Sequence, residues 1–111
     1  MKVLFLILNN PDYLEDVLSV FTDCGVRGAT ILESQGMGST IVNDMITDLP
    51  LFGSLKNLLK DSHVYNKTIF SVIRDEDKLN NVIKELKKLQ EDEDSGIGIM
   101  FTVPIAKIYW F

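Results

Sequence analysis

The chain has 111 residues, which is the size of one domain with a modest hydrophobic core. Its formal net charge of -5 argues against a nucleic-acid or anionic-membrane binder, because such proteins use clustered Lys and Arg to meet phosphates. The apolar opening segment, residues 3–8, is too short to span a bilayer, and the sequence shows no export signal. The single cysteine, Cys24, cannot form an internal disulfide, so the protein is expected to be cytoplasmic.

The first part of the chain predicts a strand, a helix and a second strand. Residues 3–8 are apolar throughout, which is typical of a strand buried on both faces at the centre of a sheet. A helix is predicted from Pro11, and Gly25 is expected to end it as a left-handed cap. The second strand is predicted over residues 29–34. The apolar stripe of the helix consists of Leu14, Val17, Leu18 and Phe21.

A long connection, residues 36–66, separates the second strand from the third. Connections of this length in so small a domain are usually functional. The pattern after Pro50 predicts a short amphipathic helix whose apolar face includes Leu51, Phe52 and Leu55. These side chains would either fold back onto the rest of the protein or present an apolar face to a partner protein.

The second part of the chain predicts a strand, a helix and a final extended segment. The third strand is predicted over residues 67–73, and Asp75 is expected to cap the following helix. The last extended run covers residues 99–111. Because Pro104 has no N–H to donate, this run should be an edge strand or bend in the middle.

This order of elements predicts a ferredoxin-like α+β sandwich, βαββαβ, with an antiparallel four-stranded sheet in a single domain over residues 1–111. Two helices can cover only one face of such a sheet. Since the first strand is apolar at every position, the other face also needs to be buried. Association with copies of the same chain is the economical way to bury it.

The residues around the second strand resemble those of the PII nitrogen-regulatory signalling proteins and their PII-like relatives. From residue 25 to residue 38 the chain follows, without a gap, the family's pattern for the helix end, the second strand and the start of the loop. A second similarity is Gly96-Ile97-Gly98, which resembles the family's glycine loop before the final strand. The shared positions of the first segment are Gly25, Gly28, Thr30, Glu33, Gly36 and Gly38.

The resemblance implies a homotrimer with a protruding T-loop after the second strand, here residues 36–66, which contacts a partner protein such as a membrane transporter or a metabolic enzyme. It also implies that an adenine nucleotide binds in clefts between subunits. Paired glycines suit such a site because the backbone can approach a ligand closely and its N–H groups can cradle phosphate oxygens. The candidate ligand-binding residues are Thr30, Gly36, Met37, Gly38, Gly96, Gly98 and Trp110.

Two positions depart from the family pattern. Ile99 stands where the family has a lysine, and Trp110 stands where it has an arginine. Losing these cations removes charge-assisted hydrogen bonds to phosphates, which argues against tight ATP binding by the family's route. Trp110 and Phe111 would either stack on a base or fill the cleft between subunits. We therefore expect a divergent PII-like signal-transduction protein, and the alternative is a trimeric structural or protein-interaction module whose clefts are plugged by these aromatic residues.

The sequence predicts no enzyme and no metal site. It contains no Ser-His-Asp, Cys-His, zinc-spaced or Walker pattern, so no catalytic residue and no certain cofactor is assigned. His63 is the only histidine and has no Cys or His at ligand spacing. Cys24 is expected to be a small packed residue rather than a nucleophile.

Overall fold

The computed structural model describes residues 1–37, 65–91 and 96–111 of the chain. Within these ranges the elements follow the predicted βαββαβ order, and a short 3₁₀ turn, Pro11–Tyr13, leads into the first helix. The elements are β1 (Lys2–Leu8), α1 (Leu14–Asp23), β2 (Thr30–Ser34), β3 (Asn66–Ile73), α2 (Glu76–Gln90) and β4 (Gly98–Pro104). The fold is the predicted α+β class.

The four strands form one antiparallel sheet in the order β2-β3-β1-β4. The apolar strand β1 is therefore central, as its sequence predicts, because it pairs with β3 on one side and β4 on the other. Leu6, for example, pairs with Ile69 of β3 and with Met100 of β4. The edges of the sheet are β2 and β4.

One face of the sheet carries the hydrophobic core. Leu4, Leu6 and Leu8 of β1 point to this face and are buried beneath the two helices. Alternate side chains of a strand point to opposite faces, so these three positions share one side. The other buried core residues are Val17, Phe21, Ile69, Ile73, Leu79, Val82, Leu86 and Ile97.

Both predicted helix signals are confirmed. Gly25 has a φ of 82°, a left-handed conformation that glycine adopts without steric cost, and it ends α1. The Asp75 side chain accepts hydrogen bonds from the backbone N–H groups of Asp77 at 2.9 Å and Lys78 at 3.2 Å, which caps α2.

The second face of the sheet, called here the open face, is apolar and lies away from both helices. A row of paired positions crosses it, with Phe70, Phe5 and Phe101 side by side in β3, β1 and β4. Several of its large side chains remain exposed in the single chain, and Phe101 is 43% exposed. The apolar side chains of the open face are Val3, Phe5, Ile7, Leu32, Phe70, Val72, Ile99, Phe101 and Val103.

The end of the chain differs from the predicted extended run. β4 is the predicted edge strand, but it ends at Pro104 instead of continuing to Phe111. The N–H of Ile105 still donates to the carbonyl of Met1 at 3.1 Å, after which the chain leaves the sheet. The run is therefore an edge strand up to residue 104 and bends away from the sheet after it, in line with the two alternatives predicted from Pro104, because proline has no N–H to extend the hydrogen-bond ladder.

The amphipathic helix with Leu51, Phe52 and Leu55 lies outside the described residues, as does most of the connection 36–66. Of the helices that are described, neither has the length and the apolar character needed to cross a membrane.

Candidate functional site

The predicted ligand-binding residues that are described fall at two ends of the sheet. Gly36 follows β2 and Gly98 begins β4, so both lie at the end where β1 finishes with Leu8. Trp110 lies at the opposite end, beside Arg74, which directly follows β3. The two ends are separated by the length of β1, about 20 Å at the usual rise per strand residue.

The glycines at the first end have different structural roles. A Cβ atom on Gly98 would lie 2.2 Å from the carbonyl oxygen of Ile7, so the sheet itself requires glycine there. A Cβ on Gly96 would meet only the side chain of Gln90 at 3.9 Å, which leaves room beside the backbone. Met37 is 79% exposed, and Gly38 lies outside the described residues. At this end Gly96 and Met37 are accessible, whereas Gly98 is explained by backbone packing.

A cavity of about 810 Å³ lies at the second end, between the start of β2 and the end of β3. It forms because the pairing of these strands begins at Thr30 and Phe70, so residues 25–29 run apart from the last residues of β3. Ser71, which is buried, spans the gap by donating a hydrogen bond from its hydroxyl to the carbonyl of Gly28 at 2.5 Å. The volume is in the range of small-molecule sites.

Positive side chains line this cavity. Arg27, Arg74 and Lys78 contribute three cations, and Asp75 contributes the one carboxylate, a formal balance of +2 in a protein whose net charge is -5. The carboxylate of Asp75 is already occupied by the helix cap, and the Lys78 ammonium donates to the carbonyl of Gly25 at 3.1 Å. Both groups keep their charges in these bonds, but the charges of Lys78 and Asp75 offset each other, so the balance of +2 equals that of the two guanidinium groups.

The two arginines differ in their contacts. The guanidinium carbon of Arg74 lies 4.8 Å from the centre of the Trp110 ring, a cation–π contact that holds the C-terminal segment against the cavity. Arg27 is exposed and makes no hydrogen bond or ion pair with any residue in the described ranges. The N–H donors of Arg27 are thus free for an external acceptor.

The structure brings together two predicted site residues and two that the sequence did not single out. Thr30 and Trp110 were expected at a ligand site, and both line this cavity together with Arg27 and Arg74. The arginines carry little sequence signal, because each is an isolated cation beside a strand. Only the separation of β2 from β3 and the return of the C-terminal segment place them in one site.

Cys24 has the environment of an unreactive thiol. It is partly buried, and the side-chain amide of Asn81 lies 3.7 Å from its sulfur. Burial raises the pKa of the Cys24 thiol, and the negative charges of Glu85 and Asp23 raise it further. In the described part of the chain no three His, Cys, Asp or Glu side chains cluster as metal ligands would, and His63 lies outside that part.

The fold and the cavity together define a ferredoxin-like α+β domain with a site of small-molecule size at one edge of its sheet. The family model of the nitrogen regulatory protein P-II matches residues 1–111, the whole chain. The chain therefore belongs to the nitrogen regulatory protein P-II family, which confirms the resemblance seen in its sequence, and it is a PII-like regulatory protein. No curated protein sequence matches it significantly.

Proposed function

We propose that this protein is a signal-transduction protein that forms a homotrimer, senses a small molecule in clefts between its subunits and regulates a partner protein through residues 36–66. In this proposal the protein acts by binding and not by catalysis. It works in the cytoplasm, and residues 1–111 form a single domain. An adenine nucleotide is the ligand class we assign to the clefts. The observation that carries the proposal is the open face of the sheet.

The open face supports association because it is apolar across the sheet and lies opposite the helices. Its exposed residues include Leu32, Val72, Ile99, Phe101 and Val103. Burying one large apolar side chain contributes about 1.5–3 kcal/mol, so several of them together provide a strong driving force for association. A free chain would expose this patch to water, which soluble monomers rarely do.

The positions of the candidate site residues support clefts between subunits. Gly96 and Met37 lie at one end of the sheet, while Thr30 and Trp110 line the cavity at the other end. A small ligand cannot touch both groups in one chain, because the length of β1 separates them. When copies pack together through their open faces, one end of a subunit can meet the opposite end of its neighbour.

The loop that follows β2 supplies the output in this proposal. It begins beside the candidate site residues Gly36 and Met37 and returns to the sheet at Asn66. Ligand binding at its base would therefore change the conformation of the loop. We expect Leu51, Phe52 and Leu55 to contact the partner, which would be a membrane transporter or a metabolic enzyme.

A second function is favoured by the exposed C-terminal residues. In the single chain Trp110 is 70% exposed, and Tyr109 and Phe111 are also exposed. Aromatic side chains are enriched in subunit interfaces, so these residues would plug the clefts of a trimer. The protein would then be a structural or protein-interaction module that binds no small molecule.

Two measurements on the full chain test the proposal. Sedimentation velocity at micromolar concentration should give three times the mass of the chain, and a stable monomer would overturn the trimer. Thermal-shift measurements with ATP, ADP, AMP and cyclic nucleotides should show a higher melting temperature with at least one of them, because a ligand that binds only the native state stabilises it. A trimer that no nucleotide stabilises would support the structural module.

A further inference from the structure

We propose that Arg27 and Arg74 form an anion-binding subsite in the cavity beside Trp110, and that this subsite takes the phosphate of a nucleoside monophosphate whose base stacks on Trp110. The inference rests on the proposed sensing function, since it names the chemistry of the ligand. It also names a source of positive charge that the sequence pattern alone does not indicate.

The electrostatics of the cavity favour an anion. Its walls have a formal balance of +2, although the protein as a whole is acidic. The opposite charges of Lys78 and Asp75 offset each other, and both groups already hydrogen-bond the backbone, so the net charge and the free donors available to a ligand are those of Arg27 and Arg74. A phosphate monoester carries about -1.5 to -2 charges at pH 7, which two guanidinium groups match.

The hydrogen-bonding capacity of the arginines also fits a phosphate. Arg27 has no partner within the described ranges, and the contact of Arg74 with Trp110 uses its charge and not its N–H donors. A guanidinium group presents five N–H donors in a planar fork that binds phosphate oxygens in pairs. Both groups therefore keep donors for a ligand in the cavity.

Trp110 supplies a surface for a flat ring. Arg74 lies over its ring, yet the residue is still 70% exposed, so most of the indole is open to a second planar group. Stacking of a base on an aromatic side chain is worth about 1–3 kcal/mol and tolerates any base. The indole and the guanidinium groups line the same cavity, so one ligand with a ring and a phosphate can contact both.

The stacking surface and the positive charge lie on one wall of the cavity. The positive charge comes from the segment before β2 and from the end of β3, on the wall that also holds Trp110. Trp110 thus provides the stacking surface, while Arg27 and Arg74 provide the charge. The site favours a short phosphate group over a triphosphate, because two guanidinium groups balance one phosphate.

The test uses the full chain and its own fluorescence. Trp110 is the only tryptophan, so its emission reports on the cavity directly. The wild type is titrated with AMP, adenosine and inorganic phosphate. AMP carries both the ring and the phosphate, adenosine carries the ring without the phosphate, and inorganic phosphate is the anion alone. The same titrations are made with Arg27→Ala, Arg74→Ala and the control Lys84→Ala, which removes the same charge from an exposed position of α2 that does not line the cavity.

We expect AMP to bind the wild type more tightly than adenosine or phosphate does. Arg27→Ala and Arg74→Ala should each weaken AMP binding about tenfold or more. In Arg27→Ala the affinity for adenosine should change less than about twofold, because charged hydrogen bonds are lost only from the phosphate. Lys84→Ala should bind AMP as the wild type does. Arg27→Ala is the decisive variant for the phosphate subsite, because Arg74→Ala also removes the cation–π contact that holds Trp110 in place. Calorimetric titration confirms each affinity where the emission changes little.

The inference and the proposed function fail in distinguishable ways. If AMP binds the trimer but Arg27→Ala and Arg74→Ala bind it with wild-type affinity, the subsite is wrong and the sensing function stands. If AMP produces neither a change in Trp110 emission nor a heat of binding in the wild type, the subsite is also wrong. Arg27→Lys keeps the charge without the planar fork, and an AMP affinity between those of the wild type and Arg27→Ala would support the proposed geometry.

Discussion

The rings of Phe5 and Phe101 stack on the open face of the sheet, with their centroids 5.2 Å apart and their planes inclined by 14°. On the other side of Phe5, the ring of Phe70 lies 5.7 Å away. Three adjacent strands thus contribute one continuous row of aromatic rings, on the side of the sheet opposite the helices. We expect this row at the centre of the proposed interface between copies, because aromatic pairs add specific contacts to a large buried area.

Replacing Phe101 with glutamate should dissociate the proposed trimer and leave the fold of the chain intact. The side chain is 43% exposed in the single chain, so the carboxylate can stay in water once the copies separate. Association should weaken by about tenfold or more per interface, because one buried ring is lost and an unpaired charge would have to be buried. Sedimentation velocity measures the mass, and circular dichroism checks the fold.

The control for this experiment is Asn80→Glu, which adds the same charge at an exposed position of α2. It should sediment as the wild type does. A Phe101→Glu variant that also sediments like the wild type would show that the open face is not the interface.

Gly98→Ala and Gly96→Ala should differ sharply in stability. At residue 98 the new Cβ would lie 2.2 Å from the carbonyl oxygen of Ile7, and β1 is held on both sides and cannot move away. The free energy of unfolding should fall by about 3 kcal/mol, at the upper end of the usual cost of overpacking. At residue 96 the nearest atom would be 3.9 Å away, so the change should be within about 0.5 kcal/mol. Urea denaturation of both variants measures these differences, and equal losses would contradict the assignment of Gly98 to backbone packing.

The parts of the fold that follow local rules were predictable from the sequence. The six apolar residues that end with Leu8 give a central strand, Gly25 adopts the left-handed conformation, and Asp75 caps the second helix. In each case the sequence signal lies within a few adjacent residues. Once these elements are placed, a sheet with one helical face and one open face follows.

The cavity could not be predicted in the same way. It depends on where β2 stops pairing with β3, and on a C-terminal segment that brings Trp110 back to Arg74. Both are contacts between distant parts of the chain, so Arg27 and Arg74 carried no visible signal. The sequence did indicate Thr30 and Trp110 as candidate ligand-binding residues. Thr30 belongs to the pattern that resembles the family, and the aromatic ring of Trp110 could stack on a base.

Replacing Ser71 with alanine should loosen the segment that forms the cavity wall. Its hydroxyl is the donor that ties Gly28 to β3, and Ser71 itself is 3% exposed. The variant should lose about 1 kcal/mol, since the exposed Gly28 carbonyl can bind water instead. Hydrogen exchange should accelerate at residues 25–29 and stay unchanged in α2.

A matched control for Ser71→Ala is Ser34→Ala. The hydroxyl of Ser34 lies 2.8 Å from that of Thr68, so this substitution removes a hydroxyl contact between β2 and β3 at the end away from the cavity. Its exchange should change near residue 34 and not at residues 25–29. If Ser71→Ala leaves exchange at residues 25–29 unaltered, the hydroxyl does not hold the cavity wall.

Cys24 should make the protein less stable at alkaline pH. Burial, with help from Glu85 and Asp23, raises the pKa of its thiol above the ordinary value of 9.0, so the folded state keeps the proton more strongly than the unfolded chain does. This contribution to stability is fully present below the pKa of the unfolded thiol and is lost as pH rises through the pKa of the folded one. Urea denaturation of the wild type and of Cys24→Ala, at several pH values on both sides of 9.0, isolates the effect because the two proteins differ only at residue 24. The wild type should lose stability relative to the variant as the pH rises, and a difference between them that does not depend on pH would contradict the raised pKa.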